Sequence, residues 1–251
     1  MNRRRSVPAV AGLGVLLLAV TACGASASGD EHPDRRSFPL HGRVLTVDSD
    51  DSALEIVSGG SGDRVRVTRW FQASVLVGRD PHVRWAMKDD RLTLRVTCSG
   101  LVADCAARHR IEVPRGVAVK VADDDGSVTA RGFRDALSVR THDGSVRVTD
   151  STGPLDLHTD DGSVRADVAS RRVRTTTSDG SVRLRLRTVP DLVDARSSDG
   201  SVTVSLPHAP YRVSAHSDDG GVHVSVPRDP ASAHEVTART RDGKVTVRTA
   251  N

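Results

Sequence analysis

The feature that most constrains the fold of this chain is a four-residue turn, Asp-Gly-Ser-Val, that recurs at nearly constant spacing. Two variants, Asp-Gly-Gly-Val at Asp219 and Asp-Gly-Lys-Val at Asp242, follow the identical copies. Successive copies are separated by 18, 18, 18, 20, 20 and 23 residues. Periods of about 20 residues are typical of architectures in which each repeat stacks on the next. The identical copies begin at Asp125, Asp143, Asp161, Asp179 and Asp199.

Apolar and polar residues alternate on both sides of each turn. When the copies are aligned on the Gly, Val always follows two positions later, and Val or Leu always precedes it by seven positions. Period-two alternation is typical of strands that bury one face and expose the other. Each repeat therefore contains two short strands. The aligned columns predict an all-β fold, a single-chain right-handed parallel β-solenoid with about seven rungs.

A meander of hairpins is the competing interpretation, because Asp-Gly between alternating segments is also a hairpin signal. The uniform small inner residues and the aromatic content of 2% favour a narrow coil interior. In either fold, Gly would supply a positive φ at the turn, and Asp would accept hydrogen bonds from nearby backbone amides. The hydroxyl residue three positions before each Gly is expected to hydrogen-bond along the coil, as at Thr141 and Thr159.

Residues 38–113 lack the repeat but keep the alternation, as at Leu92 and Leu94. We interpret this segment as an irregular N-terminal β cap, because terminal rungs of a coil must cover its open end. Lys88-Asp89-Asp90 predicts a hairpin turn within it, and Trp85 is expected in its core. The regular repeats then occupy residues 114–251.

The transition between these two parts carries a family resemblance. The run Ile111-Glu112-Val113-Pro114-Arg115-Gly116, the alternation after it and the first Asp-Gly-Ser-Val turn resemble the bacterial "putative adhesin" domain. The resemblance covers about residues 40–250. It implies a β-solenoid of unknown function that is common in lipoproteins and membrane-anchored proteins. It supplies no catalytic residues.

The N-terminal segment has the composition of a secretory signal. Arg3, Arg4 and Arg5 precede an apolar stretch, Val7–Val20, which is shorter than the roughly 20 residues that a membrane span needs. The following Val20-Thr21-Ala22-Cys23 resembles the lipobox of bacterial lipoproteins.

That resemblance implies cleavage after residue 22 and lipidation of Cys23, with ordinary secretion and a chance Cys as the alternative. Residues 1–22 would be the signal peptide and residues 23–37 a flexible tether rich in small and charged residues. The expected location is the extracytoplasmic face of the bacterial cell membrane, to which the protein is held by its lipid.

Cleavage changes the charge of the molecule. The full chain has a net charge of +4, but removal of the three signal-peptide arginines leaves 33 basic against 32 acidic side chains. Overall basicity is therefore no evidence for a nucleic-acid partner, and no recognisable nucleic-acid motif accompanies it. The two remaining cysteines, Cys98 and Cys105, are expected to form a disulfide, because an extracytoplasmic compartment is oxidising.

Two columns of charged residues are candidate sites. The stacked turn aspartates could bind Ca²⁺, the single cofactor considered, because calcium takes carboxylate oxygens and would relieve their repulsion. The alternative is that each Asp only stabilises its own turn, and the nine-residue calcium motif of other solenoids is absent. The candidate metal ligands are Asp125, Asp143, Asp161, Asp179 and Asp199.

The second column contains Arg147, Arg165 and Arg183, each three positions after a repeat Gly and facing outward. A basic strip of this kind could hold phosphate groups of a wall polymer or of lipid head groups. The alternative is a solvated face that prevents unwanted strand pairing. Thr129, Thr203 and Thr246 occupy the same position in other repeats.

Three classes of function are compatible with this pattern. The first is a non-catalytic, adhesin-like binding or structural module displayed on the cell surface, monomeric, with a cell-wall polymer or surface protein as partner. The second is an envelope-stress or regulatory component that acts through a membrane partner. The third is a polysaccharide-acting β-helix enzyme, which would need carboxylates and basic residues in a cleft.

Overall fold

The computed structural model describes residues 32–60, 62–75, 81–100 and 103–250. The signal peptide, Cys23 and most of the expected tether lie outside the described residues. The described part is all β, with an 11-stranded sheet, called sheet A, and a 10-stranded sheet, called sheet B. A search of the described residues finds no helix long and apolar enough to cross a membrane.

Seven strands form the N-terminal part of the two sheets. They are β1 (Asp34–Pro39), β2 (Val44–Ser49), β3 (Ser52–Gly60), β4 (Arg64–Val75), β5 (His82–Lys88), β6 (Arg91–Thr97) and β7 (Ala103–Pro114).

The remaining strands belong to the repeats and alternate between sheet B and sheet A along the chain. They are β8 (Ala118–Asp123), β9 (Val128–Arg131), β10 (Leu137–Thr141), β11 (Val146–Thr149), β12 (Leu155–Asp161), β13 (Val164–Val168), β14 (Arg172–Asp179), β15 (Val182–Leu186), β16 (Leu192–Asp199), β17 (Val202–Leu206), β18 (Arg212–Ser217), β19 (Val222–Val224), β20 (Glu235–Thr240) and β21 (Val245–Thr249).

The repeats stack as parallel strands in register. In sheet A, Val146 lies beside Val164, and Val164 lies beside Val182. These valines are at most 1% exposed, because each fills the narrow interior between the two sheets. The parallel solenoid is therefore confirmed over the meander of hairpins. The right hand of the coil and its number of rungs stay predictions.

The spatial order of the last two rungs differs from their order in the chain. Sheet A ends β17-β21-β19, and sheet B ends β16-β20-β18. The chain therefore forms the terminal rung, β18 and β19, before it returns to place β20 and β21 beneath that rung. Val222 of the terminal rung is 45% exposed, because no further rung covers it in the described structure.

The repeat Gly is required for close approach, and the expected positive φ is wrong for most of the repeats. Of the seven repeat glycines, Gly243 alone has a φ in the left-handed region. A Cβ on any of the seven would lie less than 3.0 Å from the carbonyl oxygen of the neighbouring rung. Gly162, for example, packs directly against the carbonyl group of Gly144.

In every repeat after the first, the hydroxyl residue of the turn bridges neighbouring rungs, as expected. Thr159 donates a hydrogen bond to the Gly144 carbonyl oxygen at 2.9 Å, and Thr177 donates to that of Gly162 at 2.9 Å. The equivalent bond of β20 agrees with the exchanged order of the last two rungs, because Thr240 donates to the Gly200 carbonyl oxygen at 2.8 Å. The hydroxyl groups therefore form a ladder that connects the turns along the coil.

An antiparallel group of strands caps the N-terminal end. Sheet A begins β1-β4-β7, in which both pairs are antiparallel, and sheet B ends in the β5–β6 hairpin. Asp89 and Asp90 form the turn of this hairpin with φ angles of 50° and 56°, as the sequence predicts. Trp85 is 6% exposed and lies in the core of the cap.

Residues 34–37, which the sequence predicts to be part of the tether, belong to a strand instead. Strand β1 begins at Asp34, inside the segment 23–37, and pairs with β4 from Asp34↔Arg69 to Pro39↔Arg64. Sequence reasoning missed this strand because its residues are exposed apart from the half-buried Phe38, which packs against Trp85, so no apolar alternation marks it.

The predicted disulfide is present. Cys98 and Cys105 are bonded, with Cα atoms 6.1 Å apart. Cys98 follows β6 of sheet B and Cys105 lies in β7 of sheet A, so the bond joins the two sheets within the cap.

Candidate anion-binding face

The predicted arginine column lies on the outer face of sheet A. Arg147, Arg165 and Arg183 occupy paired positions of β11, β13 and β15. All three side chains are exposed. Neighbouring strands lie about 4.8 Å apart, so the Cα atoms of the three arginines form a row at that spacing, and their side chains extend outward from it.

These three arginines differ from many others in having no acidic partner. Arg171 binds Asp191 at 2.6 Å, and Arg196 binds Asp194 at 2.9 Å. Within the described ranges, no carboxylate lies within ion-pair distance of Arg147, Arg165 or Arg183. Like charges at directly opposite positions on neighbouring strands are destabilising, and no acid offsets that cost here.

A shallow groove of about 250 Å³ runs along this row. Its second side is the next outward column, in which Thr149, Asp167, Arg185 and Ser205 are paired across the strands and Arg248 follows on β21. The single acid of the groove lining, Asp167, accepts a hydrogen bond from Arg187 at 2.7 Å. The groove therefore combines five arginines with one acid that is already paired.

Threonine limits the row at both ends. Thr129 of β9 is paired with Arg147, and Thr203 of β17 is paired with Arg183. The arginine row is thus confined to β11, β13 and β15, in the middle of sheet A. Residues 23–251 taken together, by contrast, carry 33 basic and 32 acidic side chains.

The predicted aspartate column is also stacked. Asp161 is paired with Asp179, and Asp179 with Asp199, while an isolated bridge joins Asp199 to Asp242. Hydrogen bonding to Asp199 raises the pKa of both Asp179 and Asp242. Hydrogen bonds from Asp242 and then from Arg241 lower the pKa of Asp199. These carboxyl groups therefore titrate together.

Among the described residues, the aspartate column does not form a metal-binding cluster. No group of three His, Cys, Asp or Glu side chains in the described ranges is arranged to hold a metal ion. Calcium binding by Asp125, Asp143, Asp161, Asp179 and Asp199 stays a prediction. Asp199 instead accepts hydrogen bonds from Arg241 at 3.0 and 3.1 Å.

A larger groove, of about 750 Å³, crosses the outer face of sheet B. It forms where small residues, among them Ala118, Ala136 and Pro154, stand eight positions before the repeat Gly of three successive repeats. Sequence reasoning missed it, although this column of small residues was visible.

The acids that line the sheet B groove are paired with arginines. Asp191 binds Arg171 at 2.6 Å, and Glu235 binds Arg212 at 3.0 Å. The hydrogen bond from Arg171 lowers the pKa of Asp191. A glycosidase requires one carboxyl group that stays protonated near neutral pH, and Asp191 has the opposite property.

A cluster of cations and aromatic rings closes the capped end of the coil. The guanidinium carbons of Arg36 and Arg69 lie 4.8 and 4.6 Å from the centre of the Trp85 ring, on which they form cation–π contacts. His109 packs beside Trp85 and is fully buried, and neither of its ring nitrogens has a hydrogen-bond partner among the described residues. Burial, and then the charge of Arg69, lower the pKa of His109 to about 4.

The comparison with known protein families agrees with this repeat architecture. The family model Toastrack DUF4097 matches residues 99–251. The chain belongs to the Toastrack DUF4097 family. No curated protein matches the chain significantly.

Solved structures also resemble this chain, at low sequence identity. A "putative adhesin" from Bacteroides fragilis is 13% identical, with a TM-score of 0.55, and the match covers 90% of this chain and 100% of that one. A "putative adhesin" from Parabacteroides merdae is 10% identical, with a TM-score of 0.48 and coverage of 90% and 99%. At 13% identity, the likeness to the Bacteroides fragilis structure shows the fold alone.

Proposed function

We propose that this protein is a non-catalytic binding module, held by a lipid on the extracytoplasmic face of the bacterial cell membrane. The observation that supports it best is the filled interior of the coil. Buried Val, Leu and Ala side chains occupy the space between the sheets, so the outer faces of the sheets are the surfaces offered to a partner.

The chemistry of these outer faces supports binding over catalysis. The acids of the sheet B groove form ion pairs with arginines, and the sheet A groove is dominated by arginine. Neither arrangement supplies the acid and base pair that glycoside cleavage needs. The description of the Bacteroides fragilis fold neighbour as a "putative adhesin" agrees with a surface role.

The anchor is supported by the sequence before the fold. Cys23 follows Val20-Thr21-Ala22 at the position of a lipobox cysteine. The first strand begins only 11 residues later, at Asp34. A short connection of this kind would keep the coil close to the membrane surface.

Replacement of the anchoring residue tests this proposal. We expect Cys23→Ala to move the protein from the membrane fraction to the soluble extracytoplasmic fraction and to abolish incorporation of labelled palmitate. The matched control is the double variant Cys98→Ala, Cys105→Ala, which also removes thiols but leaves Cys23 in place. If Cys23→Ala stays in the membrane fraction like the wild type, the anchor is wrong.

A further inference from the structure

The stacked arginines of sheet A have a cost that the chain itself does not offset. Arg147, Arg165 and Arg183 are held at strand spacing by the parallel register. The one acid beside them, Asp167, is bound by Arg187. An external anion would remove the repulsion among the three guanidinium groups.

We propose that this row binds a linear phosphodiester polymer, which lies along the coil axis and crosses β11, β13 and β15. This inference rests on the proposed binding function and names its ligand class. The groove beside the row, of about 250 Å³, is open along the sheet and suits an extended chain.

The chemistry of arginine matches this ligand. A guanidinium group presents a planar fork of donors, and a phosphodiester offers two charged oxygen atoms that accept from it. Because the Cα atoms of successive arginines are about 4.8 Å apart, one phosphate can bridge their two guanidinium groups. Thr149, in the adjoining column, adds a hydroxyl donor.

The exposure of the row favours a polymer over a single phosphate. One exposed ion pair contributes about 0–1 kcal/mol, which is too little to hold a lone anion. Several linked phosphates bind together because each contact raises the effective concentration of the next. A flexible phosphodiester backbone can also adjust its charges to the strand spacing, whereas a polyuronate holds its carboxylates on rigid rings.

The test uses the full-length protein in neutral detergent and immobilised poly(glycerol phosphate) of defined length. We expect the triple variant Arg147→Thr, Arg165→Thr, Arg183→Thr to bind at least 10-fold more weakly at low salt. Thr is the residue that β9 and β17 carry at this position, so the strands should be retained. Each lost phosphate contact lowers the slope of log Kd against log salt by roughly 0.7, so the three substitutions together should lower that slope by about 2.

A triple variant of sheet B, Arg140→Thr, Arg196→Thr, Arg239→Thr, is the matched control. It removes the same charge from exposed positions, but His158 and Thr176 separate Arg140 from the other two. We expect its affinity to change less than 3-fold. Circular dichroism melts of both triple variants check that they fold.

Several results would overturn the proposed ligand. One is an equal loss of affinity for poly(glycerol phosphate) in the two triple variants. Another is a wild-type affinity for glycerol phosphate monomer equal to that for the polymer. The third is tighter binding of the wild type to polygalacturonate or to phosphatidylglycerol vesicles than to poly(glycerol phosphate). Membrane fractionation separates this failure from that of the proposed function. A triple variant that stays membrane-bound without polymer contact leaves the display function intact.

Discussion

At the scale of a single residue, the distance between rungs depends on the absence of a side chain at the repeat Gly. The carbonyl group of one rung occupies the space that a Cβ of the next would need. The adjacent hydroxyl then donates to that same carbonyl, as Thr177 does to Gly162. One position allows the approach and the other satisfies the polar group that the approach buries.

We expect Gly162→Ala to lower the free energy of unfolding by about 3 kcal/mol, because overpacking forces the backbone of two rungs apart. Gly221→Ala is the control, since no atom lies within 4 Å of the Cβ that it would add. Its effect should stay within about 0.5 kcal/mol. Urea denaturation of both variants measures the difference, and equal stabilities would show that the close approach is not required.

The first repeat replaces the turn hydroxyl with an acid. Asp123 stands where later repeats have Thr or Ser, is 4% exposed, and has no well-formed hydrogen bond to either carboxylate oxygen. Burial raises its pKa to about 7, although nearby Ser49 and the Gly126 amide oppose part of that shift. The hydroxyl groups of Ser49 and Ser52 are also buried without partners in the described structure.

This acid should make stability depend on pH. Between pH 4 and pH 7 the folded state keeps the Asp123 proton while the unfolded state loses it, so the free energy of unfolding falls as pH rises. Asp123→Thr removes this loss and restores the hydroxyl of the other turns. We expect the variant to gain stability over the wild type as pH rises, by up to about 4 kcal/mol at pH 8.

Denaturation of both proteins at pH 4 and pH 8 tests this expectation. The difference between them is the informative quantity, because His109 acts in the opposite direction. Its pKa is lowered to about 4, so protonation in the unfolded state destabilises the fold as pH falls below 6.5. The exposed Asp124→Thr serves as the control. A gain that is the same at both pH values would rule out ionisation of Asp123.

At the scale of the element, the strands from β8 to β17 could be predicted because every repeat carries the same turn and the same inner columns. The exchange of the last two rungs could not, since Val222 and Val245 occupy the same column and either rung would stack on β17. The antiparallel strands of the cap have no repeat to align. Strand β1 is anchored by cation–π and ring contacts that leave no apolar periodicity.

The candidate site was predictable in part for the same reason. The row of Arg147, Arg165 and Arg183 follows from counting positions after the Gly. The lack of acidic partners for this row cannot be found by counting, because Asp167 is bound by Arg187 of the next repeat, 20 residues away. Only the stacking of the repeats reveals which acid each arginine meets.

Hydrogen exchange can verify the exchanged order of the strands. β20 and β21 have strand neighbours on both sides, whereas β18 pairs only with β20 and β19 only with β21 among the described strands. We expect amides of β20 and β21 to exchange at least 10-fold more slowly than those of β18 and β19, because edge strands open more readily. Faster exchange in β20 and β21 would contradict this order.

At the scale of the whole molecule, the two ends of the coil differ. The N-terminal end is closed by antiparallel strands, a disulfide between the sheets and the cluster around Trp85. The far end presents the edges of β18 and β19, with Val222 exposed. The two faces differ as well, because the unpaired arginine row lies on sheet A alone.

The exchanged rungs also determine when the molecule can be completed. A chain is synthesised from its N-terminus, so β18 and β19 emerge before β20 and β21. Because β18 and β19 pair with no earlier strand in the described order, their final contacts form only after β20 and β21 have been made. The earlier repeats can stack one after another during synthesis, but this last step waits for later residues and then settles two rungs at once.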